Sequence, residues 1–298
     1  MRVLGQRLGQ LALTVLFVPL AFFCTILTFL LRGKRIRSEP RHIAITGASR
    51  GIGRALALEL AKPGAVLALF GRNKEKLEEV KKACESKGAE CRLFVVDVTN
   101  ESEMEGSLQQ FDDSYALDLL VANAGVTGDT LGVKRPAVDA ARALHDVNVR
   151  GVLNTVLPVV ERMRQRRRGQ LLLLSSIASF SCLPFDGGYS ASKAWTRDFG
   201  LQLRAYLHKY NVGVTVACPG FTRSDMTLPF AEEKPMPFMV SQERAVREML
   251  EALKNDEAEV VFPSRLALPV RAIFAVLPGG VRQDLARLRL LPRAYSYL

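Results

Sequence analysis

A glycine-rich turn after the first apolar strand constrains the fold of this chain more than any other feature. His42–Ile45 predicts a short buried strand, Thr46-Gly-Ala-Ser-Arg-Gly-Ile-Gly53 forms the turn, and an alanine- and leucine-rich helix follows from Arg54. Glycines in such a turn let the backbone approach a pyrophosphate whose charge lies at the helix N-terminus. This order predicts the first unit of a dinucleotide-binding fold. The alternative is a glycine turn that merely connects a strand to a helix.

The rest of the chain continues this alternation of strands and helices. Further apolar strands are predicted at 65–70, 91–96, 118–122, 170–174 and 212–216. Helices are predicted at 73–87 and 138–164, and another ends at Leu253 with Ser241 as its N-cap. The pattern predicts an α/β fold, a Rossmann-type doubly wound parallel sheet of about seven strands. We place the cofactor-binding domain at 38–263, between an N-terminal segment (1–37) and a C-terminal tail (264–298).

The N-terminal segment contains a run of 21 uncharged residues from Leu11 to Leu31, which is long enough to cross a bilayer as a helix. A cleaved signal peptide would have a shorter apolar region ending in small residues, whereas this run passes directly into Arg32-Gly-Lys-Arg-Ile-Arg37. We therefore expect a retained anchor with the body in the cytoplasm, at the endoplasmic reticulum membrane in a eukaryote. Pro19 leaves a shallow hairpin open as the alternative to a crossing helix.

The formal net charge of +11 resides at the two ends of the chain. Residues 1–41 contain seven Lys or Arg and one acid, and residues 264–298 contain six Arg and one acid. A nucleic-acid-binding domain carries its basic stripe on the fold itself, so nucleic acid is not expected as a partner. Basic ends beside apolar segments favour membrane lipid. The tail predicts a basic amphipathic segment on the bilayer, with packing against the body or a dimer partner as alternatives.

The cysteine pattern predicts neither a disulfide framework nor a zinc site, and no metal is expected. The five cysteines are widely spaced, odd in number and form no CxxC pair. Such usage is typical of a protein in a reducing compartment.

The end of the second strand indicates which dinucleotide is bound. Nineteen residues after Gly53, an NAD-specific chain would present an acid to the ribose 2′-hydroxyl, but this one presents Arg72, with Arg50 in the glycine turn. Two guanidinium groups favour a 2′-phosphate, so we expect NADP(H). The alternative is that Arg72 lies in solvent at a strand end. Asp97 and Asn123 follow the next two strands, at the edge where open α/β sheets bind ligands.

Tyr189 and Lys193 lie at i and i+4 of a predicted helix, which places a phenol and an ammonium on one face. The ammonium favours the phenolate and lowers the tyrosine pKa from ~10, which brings proton donation within reach of neutral pH. On its own, such a pair is more often two exposed helical residues.

An ordered set of motifs resembles the short-chain dehydrogenase/reductase family over about residues 41–262: TGASRGIG, NAG, a helical asparagine, a strand-end serine, YSASK and CPG. The resemblance implies a catalytic tetrad of Asn148, Ser176, Tyr189 and Lys193. It implies cofactor contacts from the turn, the strand ends and the loop after the sixth strand: Gly47, Ser49, Arg50, Gly51, Ile52, Gly53, Arg72, Asp97, Val98, Asn123, Tyr189, Lys193, Pro219, Gly220 and Ser224. Ser224 stands where the family usually has threonine, and Thr222 is nearby.

The resemblance also implies roles for the tetrad. Ser176 and Tyr189 would hydrogen-bond a substrate carbonyl while hydride arrives from the nicotinamide. Lys193 would lower the pKa of Tyr189 and bind the nicotinamide ribose, and Asn148 would hold a water that links Lys193 to solvent. Ser175 is the rival serine, but Ser176, thirteen residues before the tyrosine, has the family spacing.

In this family the segment 226–240 is the substrate lid, and here it is rich in Leu, Phe, Pro and Met. Its larger apolar side chains would wall a hydrophobic site, with ordinary loop packing as the alternative for each: Phe230, Met236, Phe238 and Met239.

We therefore expect a membrane-anchored, NADPH-dependent reductase of a ketone on a hydrophobic, lipid-like substrate. Candidate substrates are a 3-oxoacyl chain, ketosphinganine, a steroid or a retinoid, although CPGFTRSDM differs from the segment that ketosphinganine reductases carry there. The alternatives are an NAD(P)-dependent alcohol or hydroxysteroid dehydrogenase working oxidatively, and a non-catalytic cofactor-binding membrane scaffold. A homodimer or homotetramer is implied by the resemblance alone.

Overall fold

The computed structural model describes residues 37–128, 137–180, 188–223, 227 and 238–264, together with Phe23. Contacts within the chain divide it into Met1–Ile36 and Arg37–Leu298, and the sheet belongs to the second unit. The predicted anchor (11–31, apart from Phe23), the tail from residue 265 and most of the lid lie outside the described residues. Among the residues described, no helix combines the length and apolar character needed to cross a membrane.

In the described part of the chain, seven parallel strands form one sheet, as the alternating pattern predicts, in the order β3-β2-β1-β4-β5-β6-β7. The strands are β1 His42–Thr46, β2 Val66–Gly71, β3 Glu90–Val95, β4 Leu119–Ala122, β5 Gln170–Leu174, β6 Gly213–Pro219 and β7 Glu259–Phe262. Strand β1 pairs with both β2 and β4, so the strand order reverses there. Doubly wound sheets bind ligands at the carboxyl ends of the strands beside this reversal.

Seven α-helices are described, and six of them cover the two faces of the sheet. The helices are α1 Gly51–Leu60, α2 Lys74–Glu85, α3 Glu101–Tyr115, α4 Ala137–His145, α5 Gly151–Arg166, α6 Tyr189–Leu207 and α7 Gln242–Lys254. One face packs against α1, α2 and α7, and the other against α3, α5 and α6. Successive strand residues therefore divide between two cores, with Ile43 and Ile45 in the first and Ala44 in the second.

Among the described helices, three begin at side-chain caps that satisfy backbone N–H groups of the first turn. Asn73 accepts a hydrogen bond from the Lys76 N–H and Asn100 accepts one from the Glu103 N–H. The predicted cap of α7 is confirmed, because Ser241 accepts a hydrogen bond from the Arg244 N–H at 3.3 Å.

The structure corrects the predicted bounds at three places. Helix α1 begins at Gly51 and not at Arg54, since the last glycines of the turn already form its first turn. The helix predicted over 138–164 is interrupted by a π-helical turn at Asp146–Arg150, which contains Asn148. Strand β7 was not located from the sequence, because four residues after a helix give little periodicity.

Candidate active site

The glycine turn closes tightly on itself at the carboxyl end of β1. Gly47 has φ of +66°, and a Cβ at Gly53 would lie 2.2 Å from the Gly47 oxygen and 2.5 Å from Asn123 Nδ2. Only glycine fits at either position without a shift of the backbone. Ser49 is half-buried in this turn, Arg50 is exposed before α1, and Ile52 packs against the core.

Two polar side chains brace the turn against β4. Asn123 Nδ2 donates to the oxygens of Thr46 (2.9 Å) and Gly47 (3.2 Å). The buried Thr46 hydroxyl donates to the Val121 oxygen and accepts hydrogen bonds from the N–H groups of Asn123 and Ala124. The ends of β1 and β4 are thereby fixed relative to each other, which holds the turn in its closed form.

Arg72 lies at the end of β2, where the adenosine ribose is expected. Its Nη1 is 3.3 Å from Asp97 Oδ2, and its side chain is 67% exposed. Burial opposes ionisation of Asp97, but hydrogen bonds from Thr99 and the charge of Arg72 outweigh it and lower the pKa of the carboxyl. Asn154 Nδ2 donates to the Val98 oxygen at 2.9 Å, so α5 holds the strand-end segment of Asp97 and Val98 that is predicted to contact the cofactor.

Lys193 lies one turn along α6 from Tyr189, and its side chain is buried. The Nζ donates to the Leu174 oxygen at 2.8 Å and lies 5.8 Å from the centre of the Tyr189 ring. Burial lowers the pKa of Lys193 to about 8. The predicted juxtaposition of phenol and ammonium is present, and the ammonium is held by a backbone carbonyl of β5.

Asn148 is fully buried in the π-helical turn, and both the oxygen and the nitrogen of its side-chain amide are hydrogen-bonded. Its Oδ1 accepts from the Val126 N–H (2.8 Å), and its Nδ2 donates to the Val126 oxygen (2.9 Å) and to Ser192 Oγ (3.1 Å). Ser192 Oγ in turn donates to the Tyr189 oxygen at 2.7 Å. These contacts make Asn148 a positioning residue that joins the loop after β4 to the helix of the tyrosine. The predicted water at Asn148 stays a prediction.

The two adjacent serines at the end of β5 have different partners. Ser175 Oγ donates to the Lys193 oxygen at 2.7 Å, which ties β5 to α6. Ser176 Oγ accepts from the Ala178 N–H at 3.2 Å, and its one donor contact to a described residue is a long one of 3.4 Å to the Pro219 oxygen. The Ser175 hydroxyl therefore has a structural role. The Ser176 hydroxyl donates only weakly within the described residues, so it is the one of the two that can donate a hydrogen bond to a ligand instead.

The loop after β6, which is predicted to contact the cofactor, is described only in part. Pro219 ends β6, and the Gly220 N–H donates to the Phe262 oxygen at 2.7 Å. Thr222 is buried and bridges to Val240, whereas Ser224 lies outside the described residues. Of the four lid residues, Phe230 and Met236 also lie outside them, Phe238 is 52% exposed and Met239 is half-buried.

Several contacts that organise the site were not predicted from the sequence. Ser192 lies between Tyr189 and Lys193 in the YSASK motif, and Ser175 precedes Ser176. The resemblance assigns roles to those neighbours, so the contacts of Ser192 and Ser175 were found only in the structure. Thr46 could have been found, because a threonine at a strand end that precedes a glycine turn is poised to hydrogen-bond the adjacent strand.

The residues at this edge fit a nicotinamide dinucleotide. A Cβ at Gly125 would lie 3.2 Å from Lys193 Nζ and 3.3 Å from Asn148 Oδ1, so glycine keeps the approach to the lysine open. The glycine turn at the N-terminus of α1 suits a pyrophosphate. Arg72 follows the end of β2, and Lys193 lies in the first turns of α6, on the other side of the strand reversal. A dinucleotide that crosses the reversal would place one ribose near each of these side chains.

Comparison with known proteins agrees with this geometry. A family model described as short chain dehydrogenase matches residues 41–235. An uncharacterized oxidoreductase of Myxococcus xanthus is 37% identical over 248 residues, which cover 83% of this chain and 96% of that protein. The 3-oxoacyl-[acyl-carrier-protein] reductase FabG of Staphylococcus aureus is 33% identical over 193 residues, which cover 63% of this chain and 77% of that protein. The dehydrogenase/reductase SDR family member 7B of Mus musculus is 31% identical over 241 residues, covering 76% and 73% respectively.

Solved structures share the same fold. A short chain dehydrogenase from Mycobacterium paratuberculosis, bound to NAD, has a TM-score of 0.63 at 25% identity and covers 74% of this chain and 95% of its own. ElxO with NADP bound has a TM-score of 0.65 at 17% identity, covering 76% and 99%, and shows the likeness of fold alone.

Fold, site and relatives together define an oxidoreductase that uses a nicotinamide dinucleotide. The chain belongs to the short-chain dehydrogenase family. The expected family, parallel Rossmann-type fold and nicotinamide cofactor are thus confirmed.

Proposed function

We propose that this protein is an NADPH-dependent reductase of a ketone on a hydrophobic substrate, retained at a membrane by its N-terminal segment with the catalytic body in the cytoplasm. The observation that carries the catalytic part is the buried Lys193 ammonium beside Tyr189, with Ser176 at the adjoining strand end. Relatives named as 3-oxoacyl reductases support a ketone, and a 3-oxoacyl chain is the substrate class to test first.

In the proposed reduction, the side chains of the site supply the proton, and the nicotinamide, when bound, supplies the hydride to the carbonyl carbon. Ser176 and Tyr189 would donate hydrogen bonds to the carbonyl oxygen, and Tyr189 would transfer its proton to the developing alkoxide. The Lys193 ammonium stabilises the phenolate that remains. Asn148 and Ser192 fix the first turn of α6, so that the phenol keeps its position.

Activity on a set of lipid ketones tests the proposal directly. The full-length protein in detergent is expected to oxidise NADPH in the presence of a 3-oxoacyl thioester, 3-ketosphinganine or a steroid ketone. Binding of NADPH without turnover on any ketone or alcohol would instead support the non-catalytic scaffold. Turnover only with an alcohol and NAD⁺ would support the oxidative dehydrogenase.

Arg72→Ala tests cofactor choice. A charge-assisted hydrogen bond to a 2′-phosphate contributes about 1.5–3 kcal/mol, so the Kd for NADPH should rise about tenfold to a hundredfold. The Kd for NADH should change little, as measured by quenching of protein fluorescence. Arg92→Ala is the control, since Arg92 lies on β3 and bonds to Glu90 and Tyr115. Equal weakening for both cofactors would contradict the assignment of Arg72.

The pH dependence follows from Lys193. Because burial lowers its pKa to about 8, the reductive rate should fall as pH rises through about 8 and the ammonium is lost. The pKa in the unfolded chain is near ~10.4, so between these values the unfolded state binds more protons and the free energy of unfolding should increase with pH. Urea denaturation at several pH values should show this increase in the wild type and not in Lys193→Met.

Substitution of each serine separates their roles. Ser176→Ala should lower kcat by about 10²–10³-fold, because a donor to the carbonyl oxygen is removed. Ser175→Ala should lower the free energy of unfolding by about 1 kcal/mol through the lost bond to Lys193. Steady-state kinetics and urea denaturation of both variants measure these effects, and the reverse pattern would make Ser175 the catalytic serine.

A further inference from the structure

A cluster of cations lies at the edge of the sheet opposite the active site. In a parallel sheet every strand begins at one edge, called here the amino edge, and helices α5 and α6 return to end there. The amino-edge cluster consists of basic residues that directly precede β1 or β5, or that lie in or just after the last turns of these helices: Arg41, Arg164, Arg166, Arg167, Arg168 and Lys209. Cations at helix C-termini compensate the helix dipole, which accounts for part of this charge.

Half of the amino-edge cluster has no carboxylate partner within the described ranges. Arg164 pairs with Glu161, Arg166 with Asp112, and Arg168 with Asp118. The remaining three members make no such pair there: Arg41, Arg167 and Lys209. All three are exposed, so their charge faces solvent.

Two tyrosines lie within the cluster. The Tyr210 ring centre is 4.9 Å from Arg164 Cζ, 5.9 Å from Arg167 Cζ and 5.1 Å from Lys209 Nζ. Tyr206 lies beside it and is 52% exposed. Tyrosine and basic side chains together are the composition of protein surfaces that meet lipid headgroups.

The chain reaches the amino edge directly from its N-terminal segment. Arg37 Nη2 is 3.0 Å from Asp256 Oδ2, Arg37 Nη1 donates to the Asn211 oxygen, and the Arg37 N–H donates to the Lys254 oxygen. Asp256 also accepts from Arg204 of α6 at 2.9 Å. Residue 37 is therefore fixed to the ends of α6 and α7.

Only five residues lie between Leu31, the end of the apolar run, and Arg37, so six Cα-to-Cα steps join them. A fully extended chain spans at most ~3.6 Å per residue, so this connection reaches about 20 Å. An apolar run placed in a bilayer consequently brings the amino edge to within that distance of the headgroups. Arg32, Lys34 and Arg35 add positive charge along the connection.

We infer that the amino edge is the face that this protein lays on an anionic lipid bilayer, through Arg41, Arg167, Lys209 and the two tyrosines. The inference rests on the proposed N-terminal anchor. Basic side chains near an anionic leaflet are attracted to it within about a Debye length, so the cluster acts once the anchor has brought it close. The active site, at the carboxyl edge, then faces away from that surface.

Lysine footprinting of the full-length protein in lipid nanodiscs tests the inference. Discs of phosphatidylcholine, with and without phosphatidylserine, are treated with an amine-reactive reagent, and modification is quantified by mass spectrometry. Lys209 should react about fivefold more slowly in the phosphatidylserine discs. Lys74, exposed at the carboxyl edge, should react equally in both. Salt of about 1 M, where the Debye length is ~3 Å, should remove the protection.

A pair of charge-reversal variants supplies the matched control. Arg41→Glu/Arg167→Glu should abolish the protection of Lys209, whereas Lys76→Glu/Arg247→Glu, on exposed positions of α2 and α7, should retain it. Incorporation without protection of Lys209, protection of Lys74 instead, or equal protection in discs without phosphatidylserine would each overturn the inference and leave the anchor intact. A chain that does not incorporate into either disc overturns both.

Discussion

Tyr189→Phe should reduce ketone turnover by about 10²–10⁴-fold, the range that a positioned general acid contributes. The phenyl ring fills the same volume, so only the proton donor is lost. The Kd for NADPH should change far less than turnover, by the loss of one hydroxyl contact at most, since the phenylalanine keeps the first turn of α6 and its bonds through Ser192. Single-turnover measurements of NADPH oxidation separate the chemical step from cofactor binding.

Tyr206→Phe is the matched control for this variant. The same hydroxyl is removed from the same helix, at a position 52% exposed and far along α6 from the site. Its turnover should equal that of the wild type. Retention of wild-type turnover in Tyr189→Phe would remove Tyr189 from the mechanism, even if the protein were shown to reduce ketones.

Gly53→Ala should abolish NADPH binding in any protein that still folds. The added Cβ would lie 2.2 Å from the Gly47 oxygen and 2.9 Å from its carbon, so the backbone of the turn has to move. That movement displaces the site expected for the pyrophosphate and breaks the contact of Asn123 with the turn. We expect a Kd at least a hundredfold higher and a free energy of unfolding lower by about 1–3 kcal/mol.

Gly106→Ala tests whether this effect belongs to the position or to the substitution. Gly106 lies within α3, where an added Cβ meets nothing within 4 Å. Replacing glycine by alanine in a helix should raise the free energy of unfolding by about 0.5–1 kcal/mol and leave NADPH binding unchanged. Calorimetric titration and urea denaturation of both variants provide the comparison. Undiminished NADPH binding by Gly53→Ala would place the pyrophosphate elsewhere.

The sequence was sufficient for the parts of the fold that repeat or that depend on nearest neighbours. Strand and helix alternation predicts the parallel sheet, and apolar runs locate six of the seven strands to within a few residues. The i, i+4 relation of Tyr189 and Lys193 follows from helix geometry alone, so their proximity in the structure needed no tertiary information.

What the sequence could not supply depends on contacts between distant segments. In the π-helical turn, the Asn148 side chain is hydrogen-bonded to the backbone of Val126, which is twenty-two residues away in the sequence. The distinct partners of Ser175 and Ser176 depend on where α6 and β6 end against β5. The low pKa of Lys193 requires burial, and a lysine in a helix is normally expected to be exposed.

The ion pair between Arg37 and Asp256 limits where the protein can be truncated. A boundary drawn at the proline-containing stretch near Pro40 would remove a guanidinium from a carboxylate that also holds Arg204, on the helix of Tyr189 and Lys193. A soluble version should therefore begin upstream of Arg37. Truncated proteins that begin just before and just after Arg37 can be compared in stability and ketone turnover. The difference measures how strongly the active site depends on the Arg37–Asp256 ion pair.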